Sequence, residues 1–376
     1  MKKIIIIGGG FSGLTVLKKL AHHGPGCEVL LIDQKSKFDF LPILPDLISG
    51  RIDARYASND LEPFCRRCNA QFRQGRVTSV DFDKKEVHLE GSSYPYDYLV
   101  VASGTQTAYY GNESARQQGY SLDSVEDALK IREELKTNPR PNYVVVGGGY
   151  TGIELATNIW RFFHNQGESK NIMIVEKSPK FLGFLEPRLK LYLEDNLYKL
   201  GIKVFVDSTV TQASDQEITL EHGRKVKDAM LLWTAGVQTC DFVQTFPYPQ
   251  NGKKRLKVNE YLQVNPDCFV LGDTACYEYK GQPLRMAVQF TLTQGFNVAE
   301  NIIRKVNGRP LKLYNPIGDL GYVFPMANNR SCGYVLGVSM KGVLPSWLHY
   351  FMCIARSYGW TNRWGILKNL LRKSPS

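Results

Sequence analysis

The chain has 376 residues, 43% hydrophobic and 22% charged, an ordinary globular composition with room for two or three domains. Its formal charge of +11 points to an anionic partner: nucleic acid, a membrane surface or a phosphate-rich ligand. Eight cysteines are too sparse for a disulfide scaffold and fit free thiols in a reducing cytoplasm, and no apolar run approaches the roughly 18 residues that would span a bilayer.

The charge is uneven. From Asn301 to Ser376 there are eleven basic residues and a single acid, Asp319, so this tail carries +10 and the first 300 residues only +1. Met1-Lys2-Lys3 before Ile4–Ile7 has the outline of a signal peptide, but the apolar run is short and leads directly into glycines. A first β-strand, β-branched and buried on both faces, is the expected element. Gly8-Gly9-Gly10-Phe11-Ser12-Gly13 follows, then a helical run from Leu14 to Leu20. In this GxGxxG pattern Gly8 permits the tight turn, Gly10 lets the backbone approach a pyrophosphate, and Gly13 lets the helix pack closely on the strand. The helix N-terminus adds unpaired N–H groups. A second apolar run, Val29–Ile32, ends at Asp33, twenty residues after Gly13, where a carboxylate can accept from the ribose hydroxyls of an adenosine.

The device recurs. Tyr143–Val146 leads into Gly147-Gly148-Gly149-Tyr150-Thr151-Gly152 and a helix, and the strand Ile172–Val175 ends at Glu176. One GxGxxG is a weak signal. Two copies, each between strand and helix and each with its acid, predict two Rossmann-like dinucleotide-binding domains in an α/β chain. A nicotinamide cofactor and FAD are the economical pair, because a hydride can pass between stacked rings. Glu176 favours NADH, since a carboxylate repels a 2′-phosphate. Three further strand-like runs punctuate the chain: Tyr98–Val101 before Ala102-Ser103-Gly104-Thr105, Leu231–Trp233 before Thr234-Ala235-Gly236, and Phe269–Leu271 before Gly272-Asp273.

With these motifs in this order, residues 3 to about 340 resemble the type II NADH:quinone oxidoreductases, within the two-dinucleotide-domain flavoproteins. The resemblance implies that Gly8, Gly10, Phe11, Ser12, Gly13, Asp33, Gln34, Val77, Ser103, Gly104, Thr105, Gly272 and Asp273 bind FAD. It implies that Gly147, Gly149, Tyr150, Thr151, Gly152, Glu176 and Gly236 bind NADH, and that Glu154 sits by the reacting rings. The helix beginning near Ala287 would point its N-terminus at the flavin. The family carries two glutamines four residues apart there. This chain has Gln289 and Thr293, with Gln294 one position late, and Gln289 and Thr293 are the expected acceptor-side residues. The implied domains are an FAD domain at 1–108 and 239–306, an NADH domain at 109–238, and a C-terminal membrane-docking portion at 307–376.

Redox-active cysteines flanking the flavin are missing, which disfavours disulfide and sulfide chemistry. Cys65 and Cys68 form a CxxC that reads as part of a peripheral helix, and no metal site is expected. The tail holds Trp347, Trp360 and Trp364. In its last segment Ile366, Leu367, Leu370 and Leu371 share one helical face opposite Lys368 and Arg372, with Lys373 beyond. A basic amphipathic helix with boundary tryptophans reads as lying in a bilayer interface. His349 is the titratable side chain of the stretch. The expected partners are NADH, a quinone and a membrane surface at its cytoplasmic face, with no nucleic acid; a homodimer is the other way to cover the tail.

Overall fold

The computed structural model describes residues 1–21, 26–316 and 318–372. Lys373 of the basic tail lies outside the described residues. Packing separates the chain into two units: Met1–Phe38 with Asn59–Gln106 and Val237–Gly318, and Asp39–Ser58 with Thr107–Gly236 and Asp319–Ser376.

The first unit is built on a six-stranded sheet in the order Gln263–Asn265, Cys268–Val270, Tyr98–Val101, Lys2–Ile7, Cys27–Asp33, Gln71–Gln74. All neighbours are parallel except the antiparallel first pair. Ile4–Ile7 lie in its middle with exposures of 0–4%, as a continuous β-branched run between two covered faces should. The helix Phe11–Ala21 packs on the helix Val288–Val306, and a Cβ on Gly295 would stand only 2.8 Å from the Cβ of Thr15, so glycine permits this approach. An antiparallel meander, Val77–Asp81, Glu86–Leu89 and Ser92–Pro95, completes the core through Val77, Val87 and Leu89.

The second unit repeats the plan with four parallel strands in the order Lys203–Phe205, Asn171–Val175, Asn142–Val146, Ala229–Trp233. Its helix Tyr150–His164 follows the second glycine turn. Beyond Asp319 come an antiparallel meander, Gly321–Phe324, Ser331–Val335 and Val338–Gly342, and two helices, Val343–Arg356 and Trp360–Leu371. The meander has no counterpart in the expectations above. Tyr150 stacks on its Phe324 at 4.0 Å between ring centroids.

The last helix is not free along the face expected of it. Gly365 lies against the Tyr56 ring, Ile366 is fully buried, and Asn369 accepts from the Asp53 N–H at 2.8 Å. Of that face Leu371 stays exposed, together with Trp360 and Trp364, and on the helix before it Val343, Leu344, Trp347 and Phe351, each at least half exposed.

Candidate functional site

The two glycine turns match in their bonding. In the first unit Gly8 takes φ +104°, its N–H donates to the Ile32 carbonyl at 2.8 Å, and Asp33 Oδ2 accepts from the Gly9 N–H at 2.6 Å. In the second unit Gly147 takes φ +105°, its N–H donates to the Val175 carbonyl at 2.8 Å, and Glu176 Oε2 accepts from the Gly148 N–H at 2.7 Å. Each acid accepts a second backbone N–H two residues on, from Lys35 and from Ser178, at 2.8 Å in both cases. The turn and its acid are therefore one rigid piece.

The remaining glycines divide the labour. A Cβ on Gly13 or Gly152 would collide with the carbonyl oxygen of Gly8 or Gly147, so these positions set the close approach of helix and strand. A Cβ on Gly10 or Gly149 would meet nothing within 4 Å. Beside each of these open positions a helix begins with no acid in its first turn, and the Tyr150–His164 helix has no side-chain cap. Open space beside the N–H groups of a helix start is what a pyrophosphate requires, so the residues present fit a dinucleotide in each unit.

Around the first turn, Phe11 is buried edge-on against Phe38 and Ser12 lies against Gly272, whose φ is +70°. Ser103 Oγ is 3.4 Å from Thr274 Oγ1, which donates to the Gly104 carbonyl at 3.1 Å, and Thr105 is half-buried. Gln34 is exposed, and Val77 turns its side chain into the core, leaving backbone as what it can offer a ligand. Asp273 is held above the usual carboxylate range by burial, opposed by Arg255. Arg255 escaped the sequence reading. It is buried and donates to three backbone carbonyls, those of Asp273 at 3.0 Å, Leu284 at 3.1 Å and Ala275, so it fixes the loop that presents Asp273.

The helix Val288–Val306 also starts without a side-chain cap or a first-turn acid. Gln289 lies in that first turn, half-buried. Thr293 Oγ1 is 2.9 Å from the Tyr314 hydroxyl and bonds back to the Gln289 and Phe290 carbonyls. Gln294 does not substitute for the missing glutamine: it is 2% exposed and accepts from the Gly272 N–H at 2.7 Å, a tie between helix and loop.

In the second unit Gly236, at φ +96°, lies against the Tyr110 hydroxyl, and Thr151 is exposed at the helix start. Glu154, one turn on, lines a small cavity with Asp46, Asn158, His349 and Tyr350. Burial, and then the neighbouring Asp46, push its carboxyl well above the ordinary range. Asp46 is also raised by burial, against the pull of Arg51, the Tyr350 hydroxyl and Arg161. Burial lowers His349 to about 4, with Arg51 and Arg356 adding to it, so the imidazole is neutral at pH 7. Asp46 and Tyr350 were invisible to sequence reasoning, because nothing local marks a side chain whose partner is 304 residues away.

A family model described as pyridine nucleotide-disulphide oxidoreductase matches residues 2–295. Demethylphylloquinone reductase NdbB from Synechocystis sp. is 30% identical over 342 residues, covering 85% of this chain and 83% of its own. A type II NADH:quinone oxidoreductase from Staphylococcus haemolyticus is 25% identical over 376 residues, 91% of each. Among solved structures, NDH2 from Plasmodium falciparum in complex with NADH superposes with a TM-score of 0.86 at 18% identity, covering 98% of this chain and 97% of that one, a likeness of fold. The resemblance read from the motifs, and the two-dinucleotide α/β fold it implied, are borne out by these relatives.

Proposed function

The chain belongs to the pyridine nucleotide-disulphide oxidoreductase family, and from that premise we propose that it is a membrane-peripheral, FAD-dependent NADH:quinone oxidoreductase that pumps no protons. The observation that carries this reading is the duplicated turn, with the same φ, the same strand-to-turn bond and the same acid-to-backbone bond in both units. When bound, FAD supplies the chemistry that the side chains lack, accepting a hydride from NADH and passing two electrons to a quinone.

In this reading Gly8, Gly10, Phe11, Ser12 and Gly13 hold the FAD pyrophosphate and Asp33 its ribose. Asp273, fixed by Arg255, takes a ribityl hydroxyl, with Ser103, Gly104 and Thr105 alongside. Gly147, Gly149, Tyr150, Thr151, Gly152 and Glu176 do the same for NADH, with Gly236 beside the nicotinamide. The uncapped N-terminus of Val288–Val306 stabilises negative charge that develops on an acceptor or ring in front of it. In the first unit Gln289 donates to the acceptor, and in the second Glu154 holds a proton. Thr293, tied to Tyr314, narrows the choice of acceptor, and a naphthoquinone is the class favoured by the NdbB relative's printed activity.

The docking surface in this reading is the exposed set Leu344, Trp347, Phe351, Trp360, Trp364 and Leu371, with exposed Lys341, Lys368 and Arg372 to meet anionic headgroups. It would place the protein on the cytoplasmic face of a membrane, where its quinone is delivered from the lipid. Among the described residues no helix is long and apolar enough to cross a bilayer. The test is a steady-state assay with NADH and a panel of benzoquinones and naphthoquinones on the FAD-loaded protein. Turnover with a quinone, faster with naphthoquinones, is expected. A reduced flavin that every quinone in the panel leaves unoxidised refutes the reading.

A further inference from the structure

The second unit contains a charged cluster that dinucleotide binding does not require. Asp46, on the short helix Leu44–Ile48, is 4% exposed and accepts from the Tyr350 hydroxyl at 2.8 Å. The Arg51 guanidinium lies 4.4 Å over the Tyr350 ring, donates through Nη2 to Asn329 at 2.6 Å, and keeps a buried Nη1 without a hydrogen-bond partner. From the helix Tyr150–His164 come Glu154, which lines the same cavity, and Arg161, which donates to the carbonyl of Ala327 in the cavity wall at 2.9 Å. The helix Val343–Arg356 adds His349 and Cys353, whose side chains are 3.5 Å apart, and Arg132 of the helix Val125–Thr137 lies beside Gly50. With His349 neutral, the cations facing Asp46 are Arg51 and Arg161.

Two carboxyls on one small cavity do not both ionise freely, because their repulsion is weakly screened away from bulk solvent. Their surroundings differ. Asp46 has a phenol donor and two guanidinium groups near it, all of which favour its anion. For Glu154 it is burial and the neighbouring Asp46 that act, and both disfavour its anion. We propose that Asp46 and Glu154 hold one proton between them, and that Asp46 is a positioning residue that keeps this proton on Glu154, ready for the acceptor. The inference deepens the reading given under Proposed function and rests on it. In the acceptor step the Glu154 O–H bond breaks and an O–H bond forms on one quinone oxygen. The electron pair and the other proton reach the quinone as a hydride equivalent from the reduced flavin. Glu154 is left as a carboxylate facing the Asp46 carboxylate, and their repulsion draws a replacement proton from solvent.

The test has two arms, both on the FAD-loaded protein. Infrared titration counts carboxyls still protonated near pH 7, where ordinary carboxyls are ionised. E154Q should show one fewer than the wild type, and in D46N the midpoint of that carboxyl should fall by about one pH unit or more, since a neutral amide no longer repels the Glu154 carboxylate. In anaerobic stopped-flow, reoxidation of reduced flavin by a quinone should slow above a limiting pH. That limit should fall in D46N, making reoxidation about tenfold slower on the alkaline side, while the pH dependence of flavin reduction by NADH stays in place. An unshifted midpoint in D46N, or as many protonated carboxyls in E154Q as in the wild type, overturns the proposal. If D46N yields no folded protein, Y350F carries the same test: losing the donor to Asp46 moves the shared proton toward Asp46, and an unmoved alkaline limit in Y350F overturns the proposal. A wild-type flavin that no quinone reoxidises removes the proposed function instead, and the infrared arm still decides the carboxyl pair.

Discussion

Gly152→Ala tests the second dinucleotide turn most sharply. An alanine Cβ there would stand 1.9 Å from the Gly147 carbonyl oxygen and 3.0 Å from Thr234 Oγ1. Real Cβ atoms essentially never come within 3.0 Å of backbone, so the helix Tyr150–His164 must retreat by about 1 Å from the strand Asn142–Val146. Overpacking of this kind costs about 1–3 kcal/mol. If that cost falls on the turn that receives the pyrophosphate, the NADH concentration for half-maximal flavin reduction rises about 5- to 150-fold, at 1.4 kcal/mol per tenfold. Gly149→Ala is the companion, because its Cβ enters open space and the backbone at φ −83° accepts alanine. It should leave the melting temperature within about 1–2 °C of wild type and still raise the NADH requirement, since only a ligand would meet the new methyl group. The assay is stopped-flow flavin reduction across an NADH series, with the flavin spectrum of each variant reporting FAD retention. An unchanged NADH requirement in both variants refutes the assignment of this turn to NADH.

Replacing Glu176 with Gln weakens the acceptor for the Gly148 and Ser178 N–H groups and removes the charge that would repel a 2′-phosphate. The NADH requirement should rise about tenfold while NADPH use improves, and equal losses with both cofactors would contradict the role. Arg255→Met strips the donors from three backbone carbonyls and leaves Asp273 without its cation, so stability should fall by about 3–5 kcal/mol and FAD should be lost on gel filtration. Burial of neutral His349, with a folded-state pKa of about 4 against 6.5, makes the unfolded chain the better proton binder between these values. Stability is therefore full above about pH 6.5 and declines toward pH 4 by up to ~3 kcal/mol, and His349→Gln should flatten that part of the Tm–pH curve. For the tail, deletion beyond Met340 would remove Tyr350 from Asp46 and Asn369 from Asp53, so point changes are the cleaner probe. Replacing Trp347, Trp360 and Trp364 with Ser should abolish binding to anionic vesicles at low salt, while neutral vesicles bind the wild type more weakly. Undiminished vesicle binding would refute the docking surface.

What was legible in the sequence was local. A β-branched run, a glycine turn, a helix and an acid about twenty residues on form one device within about thirty residues, and both copies stand where the motifs placed them. Residues paired across the chain were not legible. Gln294, one position from the family's glutamine, reads as a displaced ligand until its carbonyl is seen accepting from Gly272. Ile366 satisfies an amphipathic pattern equally well facing lipid or facing protein, and Gly365, which admits the Tyr56 ring, decides the matter. Arg255 carries no motif, because its partners are backbone carbonyls, which any sequence supplies. Asp46 and Tyr350 meet only because the meander after Asp319 returns the chain to the second unit.

In the proposed function electrons enter from NADH and leave to a quinone through one bound flavin. Anaerobic double-mixing measures both steps in a single experiment: the FAD-loaded protein is reduced with one equivalent of NADH and then mixed with a quinone. Bleaching of the flavin absorbance and its return should each be at least as fast as steady-state turnover. A flavin that NADH reduces more slowly than turnover, or that stays reduced in the presence of every quinone, would contradict it.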